Sequence, residues 1–135
     1  MDFESVYDQI KNDYFPSWDC NNEWQLKFSD DLYGAQAVCD RESKTITLAK
    51  DYFLHPSASQ VNHLKVILVH EISHTTTTTG FHEEEWIARM EKAAERAAQL
   101  GDIELAQFIK EEVDRYVVRN EGSKYVLGKR HANRS

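Results

Sequence analysis

The residues with the most reactive spacing lie in VILVHEISHTTTTTGFHEEEWIARM, residues 66–90. His70 and His74 stand four apart with Glu71 beside the first, an H-E-x-x-H pattern. On a helix, positions i and i+4 share one face about one turn, ~6 Å, apart, so both imidazoles can reach one metal ion at ~2.0–2.1 Å. Glu71 emerges roughly 100° around the helix, beside the metal rather than on it. A carboxylate there can take a proton from a water that the metal has acidified. The plainer alternative is a pair of satisfied, partly buried histidines in an ordinary helix.

Two histidines do not complete a catalytic zinc site, which uses three protein ligands and keeps a fourth position for water. Thr75–Thr79 are β-branched and helix-poor, so they should end the helix, and Gly80 lets the chain turn and bring His82 back to the metal. The resulting pattern is not that of the metzincins, because Thr77 and Gly80 stand where those proteins carry a glycine and a third histidine. Glu83, Glu84 and Glu85 compete with His82 as third ligand, although three acids in the first turn of the next helix suit its positive dipole end. Trp86 and Met90, one turn apart, read as packing behind the metal. His63 is two turns before His70 and too far to share the ion. His55, before Pro56, and His131 read as surface residues, and Cys39 as an inert, partly buried thiol. Thr75–Thr79 either line a substrate cleft or merely end the helix. Tyr33, Tyr52 and Arg89 are candidates for stabilising an oxyanion.

These residues need a frame. Phe3, Val6, Tyr7, Ile10 and Tyr14 recur at spacings of three and four, which predicts a helix over 2–14, with Pro16 just past its end. EWQLKF (23–28) alternates apolar and polar residues and reads as a half-buried strand. AQAVCD and KTITLA (44–49) read as two more strands joined by the turn-forming DRES. From about Ser57 the pattern is helical through His74. A second helix runs from near Glu83 to Gly101, and a third, capped by Asp102, carries an apolar stripe from Ile103 to Val117. The expected fold class is α+β, a small three-stranded antiparallel sheet packed with about four helices.

Several features together resemble the SprT-like family of zinc metallopeptidases, which includes the Spartan proteases that act on DNA–protein crosslinks. They are the glycine-led hairpin GAQAVCDRESKTITLAKDYF, the helix VILVHEISH, and HEEEWIARM, where His82, Trp86 and Met90 match an H-x-x-x-F/W-x-x-x-M pattern. The likeness covers about residues 30–95. It implies a zincin-like active-site helix, Zn²⁺ held by His70, His74 and His82, Glu71 as catalytic base, and a protein or peptide substrate. The loop from His74 to His82 is short and threonine-rich here, and two cysteines are too few for the zinc ribbon that better-known members carry.

Composition narrows the remaining classes. A chain of 135 residues, 41% hydrophobic and 29% charged, fits one domain, drawn as 1–118 with a basic, flexible tail over 119–135. The net charge of −7 divides into +4 from Arg119 onward and −11 before it. An acidic body disfavours nucleic-acid phosphates, so nucleic acid is a secondary partner resting on the tail alone. The longest apolar run, Val66–Val69, is far short of the ~20 residues a membrane span needs. The N-terminus has no apolar signal region, and Cys20 and Cys39 do not make a disulfide framework, so a cytoplasmic protein is expected. The competing readings are a zinc-stabilised interaction module without turnover and a nucleic-acid-associated accessory protein.

Overall fold

A computed structural model describes residues 2–78, 81–120 and 123–127. Helix α1 (Phe3–Tyr14) starts at Asp2, whose carboxylate accepts from the Ser5 N–H at 2.9 Å. It buries Phe3, Val6 and Ile10 on one face, as their spacing requires.

Strands β1 (Gln25–Ser29), β2 (Ala37–Asp40) and β3 (Thr45–Ala49) form one sheet in the order β1-β3-β2. The turn between β2 and β3 is closed by the Asp40 carboxylate, which accepts from the N–H groups of Glu42 (3.0 Å) and Ser43 (3.3 Å). That tight turn makes β2 and β3 antiparallel, with Val38 opposite Thr47. β1, however, pairs with β3 in parallel, Leu26 opposite Ile46 and Phe28 opposite Leu48. The sheet is therefore mixed and not the antiparallel one expected. A parallel neighbour needs a crossover of about a dozen residues or more, and the chain between Ser29 and Thr45, with β2 inside it, supplies one. β3 becomes the central strand, burying Ile46 and Leu48 completely, and β2 is left as an edge.

Among the described residues there are five α-helices where about four were expected; the additional one is the four-residue α2 (Lys50–Phe53). A 3₁₀ turn, Ala58–Gln60, held by a Ser57–Gln60 capping box, leads into α3 (Val61–Thr75). Every residue of α3 from Leu64 to His74 is buried. A helix enclosed on all sides is a core element, and α3 packs against α1, α4, α5 and β2. α4 (Glu84–Gln99) lays Trp86, Ile87, Met90 and three alanines inward. Gly101, at φ 86°, takes the left-handed turn after α4, and Asp102 then caps α5 (Ile103–Tyr116), accepting from the Leu105 N–H at 3.1 Å. The alanines of α4 let Leu105, Ala106, Ile109 and Val113 of α5 approach closely.

After α5 an antiparallel hairpin joins β4 (Val117–Asn120) and β5 (Ser123–Leu127). This hairpin takes up part of the segment read as tail, and residues 128–135 of that segment lie outside the described residues. Among the described residues no helix is long and apolar enough to cross a membrane.

Candidate metal centre

His70 and His74 project from one face of α3, and His82, two residues before α4, meets them. The His82 Nε2 lies 3.1 Å from His70 Nε2 and 3.2 Å from His74 Nε2. All three side chains are buried, and one nitrogen from each falls within 4.8 Å of the others. Three histidines in this arrangement could hold a metal ion.

The threonine run explains how the chain returns. A helix ends with four carbonyls that lack intrahelical partners. The hydroxyls of Thr75, Thr76 and Thr77 donate to the carbonyls of Ile72 (2.6 Å), Ser73 (2.9 Å) and His74 (3.0 Å). Thr78 donates through both its N–H (2.9 Å) and its hydroxyl (2.5 Å) to Glu85. Two arginines clamp the same loop. Arg41, from the β2–β3 turn, donates to the Thr77 carbonyl at 2.5 Å, and Arg89 donates to the Thr76 hydroxyl (3.1 Å) and carbonyl (3.4 Å). Thr79 and Gly80 lie outside the described residues.

Electrostatics bear on Glu112 and His74 in particular. His70 Nδ1 stands 2.6 Å from a carboxylate oxygen of Glu112 on α5. Burial alone would raise the Glu112 pKa. The hydrogen bond from His70, together with the charges of His70, Arg115 and His63, outweighs it and holds the carboxyl below its ordinary value. An ionised carboxylate only accepts, so His70 Nδ1 is the donor in this bond. Burial, reinforced by His70, His82 and Arg41, pushes the His74 pKa down to about 2, so that ring is uncharged near neutrality.

These residues fit a metal. Ligands around a tetrahedral zinc ion at ~2.0–2.1 Å stand ~3.3 Å apart, close to the nitrogen separations here. Neutral imidazoles whose unprotonated nitrogens converge in a buried place repel unless a cation or proton lies between them. A carboxylate on the far nitrogen of a ligating histidine fixes its tautomer and raises its basicity, which is the position Glu112 occupies. His74 Nδ1 has no hydrogen-bond partner among the described residues.

Glu71 is buried next to the cluster, its Oε2 4.0 Å from His70 Nε2. It also lines a cavity of about 280 Å3 bounded by residues 34–37, by Ile67 of α3 and by Glu112, Arg115 and Tyr116 of α5. The Tyr116 ring stacks on His82 at 4.0 Å between centroids. Burial, with the charges of Glu112 and Glu71 adding to it, raises its phenol to about 12, so it remains a donor.

Comparison of the chain with protein-family models, curated proteins and solved structures finds no match. What the site can do is therefore argued from its own atoms.

The other sequence candidates separate cleanly. Glu83, Glu84 and Glu85 are exposed, and among the described residues the metal-holding group contains none of them. Trp86 and Met90 are fully buried, and the Trp86 indole backs all three histidines and donates to the His70 carbonyl at 3.3 Å. His63 instead pairs with Gln36 at 2.8 Å and stacks on Phe53. His55 is exposed, and His131 lies outside the described residues. Burial, with the Glu71 charge beside it, pushes the Cys39 thiol up to about 12, an unreactive state. Tyr33 is 93% exposed and Tyr52 48%, while Arg89 is committed to Thr76. None of the three lines the Glu71 cavity.

Glu112, Tyr116 and Arg41 were not among the sequence candidates. Leu105, Ile109, Glu112 and Tyr116 recur at spacings of four, three and four. A glutamate on the apolar stripe of α5 is the signal that marks the third of these helix positions as something other than packing.

Proposed function

We propose that the protein is a zinc-dependent metallopeptidase, with His70, His74 and His82 as zinc ligands and Glu71 as general base. The convergence of three buried imidazole nitrogens beside a buried glutamate carries this reading. A zinc ion held there supplies Lewis acidity, which lowers the pKa of water towards ~7 and polarises a carbonyl oxygen. Glu71 Oε2 would accept the proton of the attacking water and return it to the departing amine nitrogen. Tyr116, kept protonated and facing the same cavity as Glu71, would donate a hydrogen bond to the carbonyl oxygen as it gains charge. Glu112 would hold the proton on His70 Nδ1 throughout and orient that ring. Trp86, Tyr116 and the buried α3 would exclude water from behind the histidines.

The substrate would be an extended peptide. β2 is an edge strand, and residues 34–37, which lead into it, wall the cavity that reaches Glu71. A peptide lying along that edge can add to the sheet through its backbone, giving broad sequence tolerance. The SprT-like resemblance of residues 30–95 points the same way, and under it α3 is the zincin-like active-site helix.

Metal analysis combined with cleavage of an unfolded protein by wild type and Glu71→Gln tests the proposal. We expect bound zinc in both and turnover in wild type alone, the variant losing on the order of 10²–10⁴-fold. Equal cleavage by the two, or zinc in both and cleavage in neither, overturns it; the second result leaves a zinc-stabilised module.

A further inference from the structure

A second cavity, of about 670 Å3, lies between the end of α1 with its following loop and α4. One wall is cationic. Arg89, Lys92 and Arg96 sit at spacings of three and four on one face of α4, where like charges repel. The opposite wall is aromatic, built from Tyr14, Phe15 and Trp18. Concentrating three cations in a chain of net charge −7 calls for a reason.

Trp18 supplies an independent observation. It is only 9% exposed, and its Nε1–H is buried with no hydrogen-bond partner among the described residues. The indole cannot readily turn to find one, since Tyr7 meets it edge-on at 6.4 Å, Trp24 lies at 6.2 Å and Lys11 Nζ stands 5.8 Å from its ring. That packing fixes the ring as a rigid apolar wall of the cavity, with its Nε1–H enclosed and out of a ligand's reach.

Two carboxylates, Asp13 and Asp19, share the lining. That of Asp19 is engaged by the N–H groups of Glu23 (2.6 Å) and Trp24 (3.2 Å). Arg96 spends only its Nε, on the Asp13 carbonyl at 3.0 Å, and its terminal nitrogens remain for a ligand. Lys92 is exposed and makes no side-chain bond among the described residues.

From these groups we infer that the groove is a binding site for a small phosphate ester carrying a planar ring, a mononucleotide in chemical class. Lys92 and the terminal nitrogens of Arg96, with the charge of the Thr76-bound Arg89 beside them, suit a dianionic phosphate better than a single carboxylate. The half-buried faces of Tyr14 and Phe15 suit a flat ring, and the volume lies within the ~300–1,000 Å3 of small-molecule sites. The groove shares Arg89 and Thr76 with the loop that follows His74, but contains none of the three histidines and does not depend on the peptidase reading.

Calorimetric titration of the metal-loaded full chain with AMP, adenosine, inorganic phosphate and a ten-nucleotide oligodeoxyadenylate tests this. AMP should bind more tightly than adenosine or phosphate alone. Lys92→Glu, at an exposed position, and Arg96→Gln, which removes the terminal guanidinium nitrogens, should each weaken AMP about tenfold. Both should retain the wild-type metal content. No AMP binding, AMP no tighter than phosphate, Lys92→Glu binding AMP as wild type does, or the strand binding where AMP does not would each overturn the inference.

Discussion

Glu112 brings a negative charge into the core, and nearly everything around it serves to keep that charge there. It is 4% exposed, bonded to His70 Nδ1 and paired with Arg115 at 3.3 Å. Glu112→Gln retains size and an acceptor oxygen but removes the charge that would make His70 a stronger ligand. Metal affinity should fall roughly 10–100-fold, measured by competition with a chelator of known strength. An unchanged affinity would mean that Glu112 serves packing only. The H-E-x-x-H and returning-histidine residues were legible because their signal is local, one helical turn and one loop. Glu112 was not, because its meaning depends on α5 lying against α3, forty-two residues away in sequence.

α5 is the element on which that arrangement rests. It packs along α4 and α3 and presents Glu112 and Tyr116 to the histidines from the same face that buries Ile109. Ile109 is fully buried, so Ile109→Ala should cost about 2–5 kcal/mol in chemical denaturation. Under 1 kcal/mol would show that α5 is loosely held. The helices were readable because apolar residues at spacings of three and four, the threonine run, Gly101 and Asp102 mark their extents locally. The sheet was read only in part. Alternation identifies a strand and a short turn identifies a hairpin, but neither says which edge a third strand will join. β1 lies parallel to β3 because β2 occupies the opposite side, a fact absent from the pattern of residues 23–28. The cavity walls fell out of reach for the same reason, since residues 34–37 meet α5 only after the whole chain has folded.

At the scale of the molecule, the buried, weakly basic ring of His74 makes the fold acid-sensitive. His74 has an ordinary value of 6.5 when exposed and about 2 when folded, so the unfolded chain binds more protons in between. Stability from this group is full above about 6.5 and declines as pH falls below it. Glu112, also depressed, acts in the same direction at pH values below its ordinary 4.5. The urea midpoint of metal-free protein should therefore be lower at pH 5 than at pH 7.5, and a flat profile across that range would contradict the burial of His74. Two of the three rings stand on a helix enclosed by its neighbours, whereas the third hangs from a span gripped by Arg41 and Arg89 at the carbonyls of Thr77 and Thr76. The cage thus has a fixed floor and a latched wall. For any ion the cage took up, the rates of entry and escape would follow how often those two guanidinium groups let go, whatever the equilibrium constant for holding it.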